Sequence, residues 1–450
     1  MSLCVIFLIV NGRLRAKAPR CGGDLDVQIY EFFSYFRSMK QLLVIILRAL
    51  GALLILALLI ITASSISPIY RFGRSKPFAG PDIYNPYEGA SGSWQRACFH
   101  THTKVDGLLN ECPEWPDSVY AAYKRLGYDI IAFSNHNRLT RHPSDSSLQI
   151  SVYEHGYNIA KYHKLVFNPG RVRRFDHILP VLASQKQWQL DLLSRNADFI
   201  ALAHPDRTSF VSARTMRLLT GYRFIEADCN YSTDLMHWDE ALSAGHYSHN
   251  LLGDDCHDVR NHAKIARRCS WINCASPSYE DVAPALMAGR FFSMRIPDFG
   301  EGDWNVKYAE NARLPQVEAI GVEADSVYLM LSAPARIEAI GQGHTVLAEA
   351  TGNGITYKLG ESEPYVRFTA YFDNGVVLYT NAFARFNARI TDTPYVVGPH
   401  KVSTLLTVLF NLLLLVMLVL ELVALRFVLT YKKKKTRLTV EQLRFRGIVP

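Results

Sequence analysis

Two long apolar runs constrain this chain more than any other feature of its sequence. Residues 42–62 read LLVIILRALGALLILALLIIT, and residues 405–425 read LLTVLFNLLLLVMLVLELVAL. Their charged or amide side chains are Arg48, Asn411 and Glu421. A run of about 20 apolar residues can cross a bilayer as a helix, whereas cores of soluble domains rarely contain apolar runs of this length. We therefore expect transmembrane helices at 41–63 and 402–430.

The basic residues around these runs predict how the chain is oriented in a cell membrane. Lysines and arginines are frequent before the first run, and KKKKTR follows the second. Because cytoplasmic flanks of membrane spans are enriched in Lys and Arg, residues 1–40 are interpreted as a cytoplasmic extension and residues 431–450 as a basic cytoplasmic tail. The residues between the spans are then extracytoplasmic, either periplasmic or extracellular, and lie beside the lipid bilayer.

The N-terminal part leaves two alternatives open. The small residues Ala63, Ser64 and Ser65 follow the first run, which therefore also fits a cleaved signal peptide. Met39-Lys40 reads as a natural start, in which case residues 1–38 have no fold of their own. Detection of Ser2 by N-terminal sequencing of the expressed protein would contradict that later start. Both alternatives leave the central part of the chain on the same side of the membrane.

Composition excludes several classes of protein. With 450 residues, 12% aromatic and 20% charged side chains, the chain is neither disordered nor of low complexity and can hold two or three domains. The net charge of +8 is concentrated beside the apolar runs, so no nucleic-acid partner is expected. The eight cysteines lack the paired spacings of metal fingers, and we predict no extensive disulfide framework.

Residues 95–305 alternate short apolar runs with helix-like stretches, after a Pro-, Gly- and Ser-rich linker at 64–94. The strand candidates are RACFH, YDIIAFSNH, LQISVYE, YHKLVFN, DFIALAHP, YRFIEADCN, NLLGDDCH and CSWINC. The helix candidates are 118–126, 187–196, 213–219 and 238–244. Strands that alternate with helices form parallel βα units, and this number of strands suits a closed or nearly closed barrel better than an open sheet. The expected fold class is therefore α/β.

The pattern changes after about residue 300. Residues 311–395 contain short alternating runs separated by Gly and Pro, with an Asp-Asn-Gly hairpin signal between RFTAYF and VVLYT. We expect residues 306–398 to form a small antiparallel β-sandwich domain.

Several of the barrel strand candidates end in histidine or a carboxylate. These residues are His100, His102, His136, Glu154, His204, Asp255 and His257. Carboxyl ends of parallel strands meet at one face of a barrel, and charge at buried strand ends is unfavourable unless something pairs with it. Imidazole and carboxylate groups are ligands for zinc, manganese and iron. The pattern therefore predicts a multinuclear metal site.

The same segments carry a family resemblance. FHTHTKVDG, GYDIIAFSNHN, YEHGYN with YHKLVFN, ALAHP and GDDCHD occur in the order seen in the polymerase and histidinol phosphatase (PHP) domain family. Over residues 95–300 the chain resembles that family. The resemblance implies a distorted (β/α)7-type barrel that holds two or three divalent ions (Zn, Mn or Fe) and hydrolyses a phosphate ester.

Matching the motifs residue by residue implies a set of metal ligands. They are His100, His102, Asp106, His136, Glu154, His163, His204, Asp255 and His257. Glu154 would bridge the ions. Cys98 and Asn135 stand where many members of the family have Asp, and Val152-Tyr153 replaces the Pro-Gly that often precedes the glutamate. Glu226 has an alternative claim to a site role, although support of its strand end is the preferred interpretation.

The expected reaction is attack of a metal-bound hydroxide on phosphorus. His204 or His257 would protonate the leaving alkoxide, and Arg207 would bind phosphate. Three alternatives remain open: a non-catalytic metal-binding sensor or scaffold domain between two membrane spans, a metallohydrolase that acts on another bond, and a structural membrane protein whose β-domain binds a partner.

Overall fold

The computed structural model describes residues 8–10, 13–15, 24–91, 93–107, 110–207, 209–229, 233, 235–395 and 400–431. The predicted basic tail lies outside these residues beyond Tyr431. Most of the predicted N-terminal extension before Asp24 also lies outside them. The chain divides into two compact units, one of residues 1–60 with 416–450 and one of residues 61–415.

The described residues form seven α-helices and twenty strands. The helices are α1 (Asp24–Ser64), α2 (Pro116–Arg125), α3 (Ala183–Ser194), α4 (Met236–Ser243), α5 (Tyr279–Ala288), α6 (Trp304–Asn311) and α7 (Thr404–Thr430). The strands are β1 (Leu8–Val10), β2 (Arg13–Arg15), β3 (Tyr70–Phe72), β4 (Asp82–Tyr84), β5 (Trp94–Cys98), β6 (Ile130–Ile131), β7 (Val152–His155), β8 (His163–Phe167), β9 (Phe199–Ala203), β10 (Phe224–Ile225), β11 (His249–Asn250), β12 (Arg268–Asn273), β13 (Phe291–Arg295), β14 (Val317–Glu323), β15 (Ser326–Gly341), β16 (Thr345–Lys358), β17 (Tyr365–Phe372), β18 (Val377–Thr380), β19 (Phe383–Phe386) and β20 (His400–Val402).

Local sequence accounts for most of these elements. The apolar runs named above overlap β5 to β12, and three of the helix candidates overlap α2, α3 and α4 but begin two to four residues late. α2 begins at Pro116, whose ring suits the first helical position, and its last turn carries Lys124 and Arg125, which complement the helix dipole. The fourth helix candidate is a short 3-10 helix at Ala213–Arg217.

The predicted mixed α/β character is confirmed, but the strands are not all parallel. Parallel pairs join β5 to β6, β9 to β10, and β10 to β11. β8, in contrast, is antiparallel to both β7 and β9. Residues 156–162 are the whole connection between β7 and β8, and a parallel crossover needs about a dozen residues or more. A hairpin is therefore the arrangement that this connection allows.

Two isolated bridges link the five-stranded sheet β11-β10-β9-β8-β7 to the sheet that contains β5 and β6. His136 pairs with Glu154, and Thr101 pairs with Cys256, both in parallel. The Asp255 N–H donates to the His100 carbonyl at 2.9 Å. Backbone hydrogen bonds thus connect β5 to β6, the end of β6 to β7, and β7 through β8, β9 and β10 to β11. The residues after β11 then bond to the residues that follow β5.

The C-terminal strands are antiparallel, as expected, but they do not form a separate sandwich. β14 to β18 belong to an eleven-stranded sheet that continues through β13 and β12 into β5. β12, predicted as the eighth barrel strand, is antiparallel to β5 within that sheet. The Asp-Asn-Gly turn joins β17 to β18, and Gly375 there has φ of +84°, a conformation that favours glycine.

Apolar packing explains why this sheet is continuous. One buried cluster contains Cys98 of β5, Phe292 of β13, Leu329 of β15 and Phe368 of β17. A different cluster, with Ala97, Leu165, Ala201 and Phe224 among its members, lies between the strands β5 to β11. The antiparallel strands bury their apolar side chains in a cluster that they share with the α/β part, so the sheet continues from one into the other.

The predicted linker is partly strand. β3 pairs with β20, and β4 pairs with β19. Beside β3, the Ile69 N–H donates to Thr407 Oγ1 at 2.9 Å, and the Asn411 amide donates to the Ser67 carbonyl at 3.2 Å. The two ends of the 61–415 unit therefore leave it side by side.

Two helical segments are long and apolar enough to cross a membrane, Met39–Ser64 and Thr404–Thr430. Their most apolar windows are 0% and 6% buried, so they are not core helices of the described protein. Within the unit that holds most of α1 and the end of α7, the Arg48 guanidinium donates to the Tyr431 carbonyl at 2.6 Å.

Candidate metal centre

The ends of the strands bring together most of the residues that the sequence singles out. His100 and His102 follow β5, His136 follows β6, Glu154 lies in β7, and His204 follows β9. Asp255 and His257 follow β11. In the part of the chain that the structure describes, three groups of side chains have donor atoms within 4.8 Å of one another: His100 with His102, Glu154 and Asp255; His136 with Glu154 and His163; and His102 with Glu111 and His257.

The first group has the spacing of ligands around one ion. His100 Nε2 lies 3.3 Å from Glu154 Oε2 and 3.2 Å from Asp255 Oδ1. His102 Nε2 lies 3.2 Å and 3.3 Å from the same two oxygens. Donor atoms that share an ion at about 2.1 Å lie about 3.0–3.4 Å apart in octahedral or tetrahedral geometry. These four atoms are buried and have no hydrogen-bond partner among the described residues, so a divalent ion fits between them.

Glu154 belongs to two of the groups. Its Oε2 lies 3.2 Å from His136 Nε2, and its Oε1 lies 2.7 Å from His163 Nδ1 and 3.1 Å from His204 Nε2. The side chain is fully buried. A buried carboxylate surrounded by imidazoles on both oxygens has the geometry of a ligand shared by two ions.

His163 stands at the start of its strand, unlike the other histidines. Because β8 is antiparallel to its neighbours, its first residue lies at the same edge as the carboxyl ends of the parallel strands. The register pairs His163 with Ala203 of β9, one residue before His204. The reversal of β8 thus places His163 at the site.

Glu111 is a site residue that the sequence did not indicate. Its Oε2 lies 3.2 Å from His136 Nε2 and 3.3 Å from His257 Nε2. Glu111 lies in the connection between β5 and α2, so a search of strand ends could not find it. Asp106, expected among the ligands, is exposed and is not part of the three groups.

A surrounding layer of hydrogen bonds orients the imidazoles. Both carboxylate oxygens of Glu226 lie 2.9 Å from His100 Nδ1, and Oε2 accepts from the His204 N–H at 3.1 Å. His257 Nδ1 lies 2.9 Å from the Asp255 carbonyl oxygen. In both rings the Nε2 atom is then left to face the site. Glu226 therefore has a positioning role, which goes beyond the strand support expected of it.

Asn135 organises the turn after His102. Its Oδ1 accepts from the Thr103 N–H at 2.8 Å, and its Nδ2 donates to Thr103 Oγ1 at 2.7 Å. An amide can donate and accept at once, as this contact requires, whereas an ionised aspartate only accepts. Cys98 is buried in the apolar core and does not face the site groups.

The site mixes buried carboxylates with buried imidazoles. Burial raises the pKa of Glu154, but His163, His100 and His136 more than offset this effect and hold the pKa well below its ordinary value. Burial lowers the pKa of His100, yet the carboxylates of Glu226, Asp255 and Glu154 raise it well above normal. Burial lowers the pKa of His163 to about 4. The carboxylates are therefore anionic, and the site attracts positive charge.

Two of the site residues have strained backbones. His204 has φ of +30° and Asp255 has φ of +50°, values in or near the left-handed region that residues other than glycine rarely adopt. Such conformations cost about 1–3 kcal/mol each and persist where the surrounding structure enforces them. The hydrogen bonds of the His204 N–H to Glu226 and of the Asp255 N–H to His100 supply that constraint here.

An open cavity of about 570 Å³ adjoins the groups. Its lining includes His102, Asp106, Glu111, His136, Arg138, Tyr157 and Arg174. Arg207 lies on another side of the site, where its Nη1 is 3.6 Å from Asp255 Oδ2. Guanidinium groups close to clustered metal ligands suit the binding of an anion such as a phosphate.

Comparison with known proteins identifies one distant structural likeness. No family model matches the chain, and no curated protein matches it significantly. The chain is similar to a two-domain protein from Bacteroides vulgatus that contains a predicted PHP-like metal-dependent phosphoesterase. The sequence identity is 15%, the TM-score is 0.34, and the match covers 69% of this chain and 99% of that protein. A likeness at this level does not establish a shared fold or chemistry.

Proposed function

We propose that this protein is a metal-dependent phosphoesterase of the PHP type, anchored in a membrane by α1 and α7. The observation that carries the proposal is the buried carboxylate Glu154, whose Oε2 lies 3.2–3.3 Å from the Nε2 atoms of His100, His102 and His136, the spacing of ligands around an ion. The order of the sequence motifs supports the PHP assignment. We also interpret the hydrogen-bonded strands β5 to β11 as the distorted (β/α)7 barrel, with β8 reversed.

Two or three divalent ions, with Zn, Mn and Fe as candidates, would be held by His204 and by the residues of the three groups other than His257. Bound ions would supply Lewis acidity and would neutralise charge on the phosphoryl oxygens. The proposed ligands include Glu111 and do not include the exposed Asp106.

The protein groups have separate roles in this proposal. Arg207 and the cavity arginines Arg138 and Arg174 would bind the phosphoryl oxygens. His204 is buried with Nε2 on Glu154, which suits a ligand. His257 is 35% exposed at its side chain and shares Glu111 with His136, so it can exchange a proton with solvent. Burial lowers the pKa of His257, but Glu111 raises it above its ordinary value. We therefore favour His257 as the donor of the proton to the leaving alkoxide.

The exposed apolar helices support the membrane part of the proposal. Side chains such as Leu53, Leu54, Leu412 and Leu413 are more than half exposed, and an uncovered apolar surface of this kind is unfavourable in water. Insertion into a bilayer would cover it.

The test uses the full chain purified in detergent micelles. We expect bound divalent metal by elemental analysis, and hydrolysis of phosphomonoesters or phosphodiesters when Mn²⁺ or Zn²⁺ is added. Glu154→Gln should lose metal and lower the rate by about a hundredfold or more, since removal of a shared ligand disrupts both groups. Glu318→Gln, on the exposed face of β14, is the matched control and should behave as the parent.

Metal binding without hydrolysis of any phosphate ester would favour the sensor alternative. Hydrolysis that survives in Glu154→Gln would contradict the proposed site.

A further inference from the structure

The connection between β8 and α3 combines arginines with exposed apolar side chains. Residues 169–182 contain Arg171, Arg173 and Arg174. Phe175 is 49% exposed, Val181 is 54% exposed and Leu182 is 37% exposed. We call residues 171–182 the basic loop. Arginines beside exposed aromatic and aliphatic side chains are the composition of surfaces that lie in a bilayer interface.

The basic loop is hydrogen-bonded to the end of α1. His177 Nδ1 contacts the Ser64 carbonyl oxygen, and the Ile178 N–H donates to Ser64 Oγ at 3.3 Å. Just after the loop, Gln185 donates to the Ser65 carbonyl at 3.2 Å. The apolar run of α1 ends at Thr62. These contacts therefore hold the loop within a few residues of the point where, in the proposed function, the chain leaves the bilayer.

The point where the chain leaves the 61–415 unit towards α7 is hydrogen-bonded to the same region. Asp191 of α3 accepts from the Tyr70 hydroxyl at 2.7 Å, and both of its oxygens lie 3.1 Å from His400 Nε2. His400 precedes α7 by only a few residues. Since both exits are attached to α3 or to the loop before it, two membrane-crossing helices would hold this face of the 61–415 unit against the bilayer.

The charges of the basic loop are available to a ligand. Among the described residues, Arg171, Arg173 and Arg174 form no salt bridge. Arg173 Nε is buried without a hydrogen-bond partner. The acidic residue of the loop, Asp176, is occupied by the Tyr157 N–H and by the Asn158 and Gln189 amides. The loop therefore presents net positive charge, which complements anionic lipid headgroups.

Arg174 connects the loop to the metal centre. It lines the 570 Å³ cavity together with His102 and His136. It also lines a neighbouring cavity of about 220 Å³, together with Arg171, Arg173 and Phe175. A phosphate bound by the arginines at the loop would thus be next to the cavity where the proposed chemistry takes place.

We propose that the basic loop lies in the headgroup layer of an anionic phospholipid bilayer and delivers the phosphate ester of a membrane lipid to the metal centre. This inference rests on the proposed function for the membrane spans and for the reaction. It goes beyond that function because it names the docking surface and makes the substrate a lipid at the surface of the same bilayer.

The docking part is tested by fluorescence quenching in nanodiscs of phosphatidylcholine and phosphatidylglycerol. The full chain carries Cys4→Ser and Cys21→Ser, because the other six cysteines are buried. An environment-sensitive probe is attached at Phe175→Cys or, as a control of similar exposure, at Met330→Cys on β15. We expect lipid-borne quenchers to act at position 175 and aqueous iodide to act at position 330. Equal quenching by iodide at both positions, or lipid quenching at both, would overturn the proposal.

The delivery part is tested with two substrates, phosphatidic acid in the same nanodiscs and soluble p-nitrophenyl phosphate. Loss of apolar contact in Phe175→Ser/Val181→Ser should lower hydrolysis of phosphatidic acid by about tenfold and leave the soluble substrate within about twofold of the parent. Met330→Ser should change neither rate. An equal effect on both substrates, or none on phosphatidic acid, would overturn lipid delivery. If the parent hydrolyses neither substrate, lipid delivery fails, the screen of phosphodiesters described above decides the proposed function, and the quenching result decides the docking surface.

Discussion

Glu226 determines which nitrogen of His100 faces the metal centre. Its carboxylate holds Nδ1 with two contacts of 2.9 Å, and the Nε2 atom is left without a hydrogen-bond partner between Glu154 and Asp255. The same carboxylate accepts from the His204 N–H, where the backbone is strained. A residue that does not itself coordinate can therefore set the geometry of two proposed ligands.

The replacement Glu226→Gln tests this role. An amide at this position loses the charged hydrogen bond to His100, and we expect metal affinity to fall about 10- to 100-fold while the fold is kept. Competition with a chromophoric chelator measures the affinity, and circular dichroism checks the fold. Glu318→Gln, on the exposed face of β14, is again the control. An affinity unchanged in Glu226→Gln would show that packing alone orients His100.

At the scale of elements, an ion pair joins α4 to the antiparallel strands. Arg367 of β17 donates to Asp239 of α4 from Nε at 3.0 Å and from Nη2 at 2.8 Å, and both side chains are buried. His344, in the turn before β16, contacts the same carboxylate. The pair ties the α/β part to the C-terminal strands across the sheet, which agrees with their continuous core.

We expect Arg367→Met to lower the free energy of unfolding by about 3–5 kcal/mol, because it leaves a buried carboxylate without its main partner. In the parent, burial raises the pKa of Asp239, but Arg367 and His344 more than offset this and lower it. The pair therefore stabilises the folded parent at pH values above the ordinary pKa of aspartate. This contribution is lost as the pH falls through the lowered pKa of Asp239.

In Arg367→Met the pH dependence of stability reverses, because burial without Arg367 raises the pKa of Asp239 in the folded protein above its value in the unfolded chain. The variant should recover part of its lost stability as pH falls from 7 towards 4. Thermal unfolding in detergent, followed by near-ultraviolet circular dichroism, measures both effects. The double variant Asp239→Asn/Arg367→Met should lack the recovery, and a similar recovery there would assign it to another group.

At the scale of the whole molecule, the pairing of β3 with β20 bears on the orientation of the chain in a membrane. Because the chain enters and leaves the 61–415 unit side by side, two membrane-crossing helices would place both termini on the same side. We expect an alkaline phosphatase reporter fused after Pro450 to be inactive and one inserted at Ile390, an exposed position between the spans, to be active. The reverse pattern would contradict the proposed orientation.

Local sequence patterns determined many of the secondary-structure elements and most residues of the candidate site. The apolar runs indicated two exposed helices, and the alternation of short runs located β5 to β12 to within a few residues. Histidines and carboxylates at strand ends indicated a buried cluster that includes His100, His102, Glu154 and Asp255. These features were readable because each depends on residues that are neighbours in the chain: hydropathy over about 20 residues, alternation along a strand, and the last residue of a strand.

Tertiary structure decided the rest. Glu111 reaches His136 and His257 from an irregular connection, so no local pattern marks it as a site residue. The direction of β8, which brings His163 to the site, follows from pairing with β7 and β9. The C-terminal strands join the sheet through β13, because their apolar side chains share a buried cluster with the α/β part. Each of these outcomes depends on contacts between residues far apart in the chain, and such contacts leave no periodic signal in a single sequence.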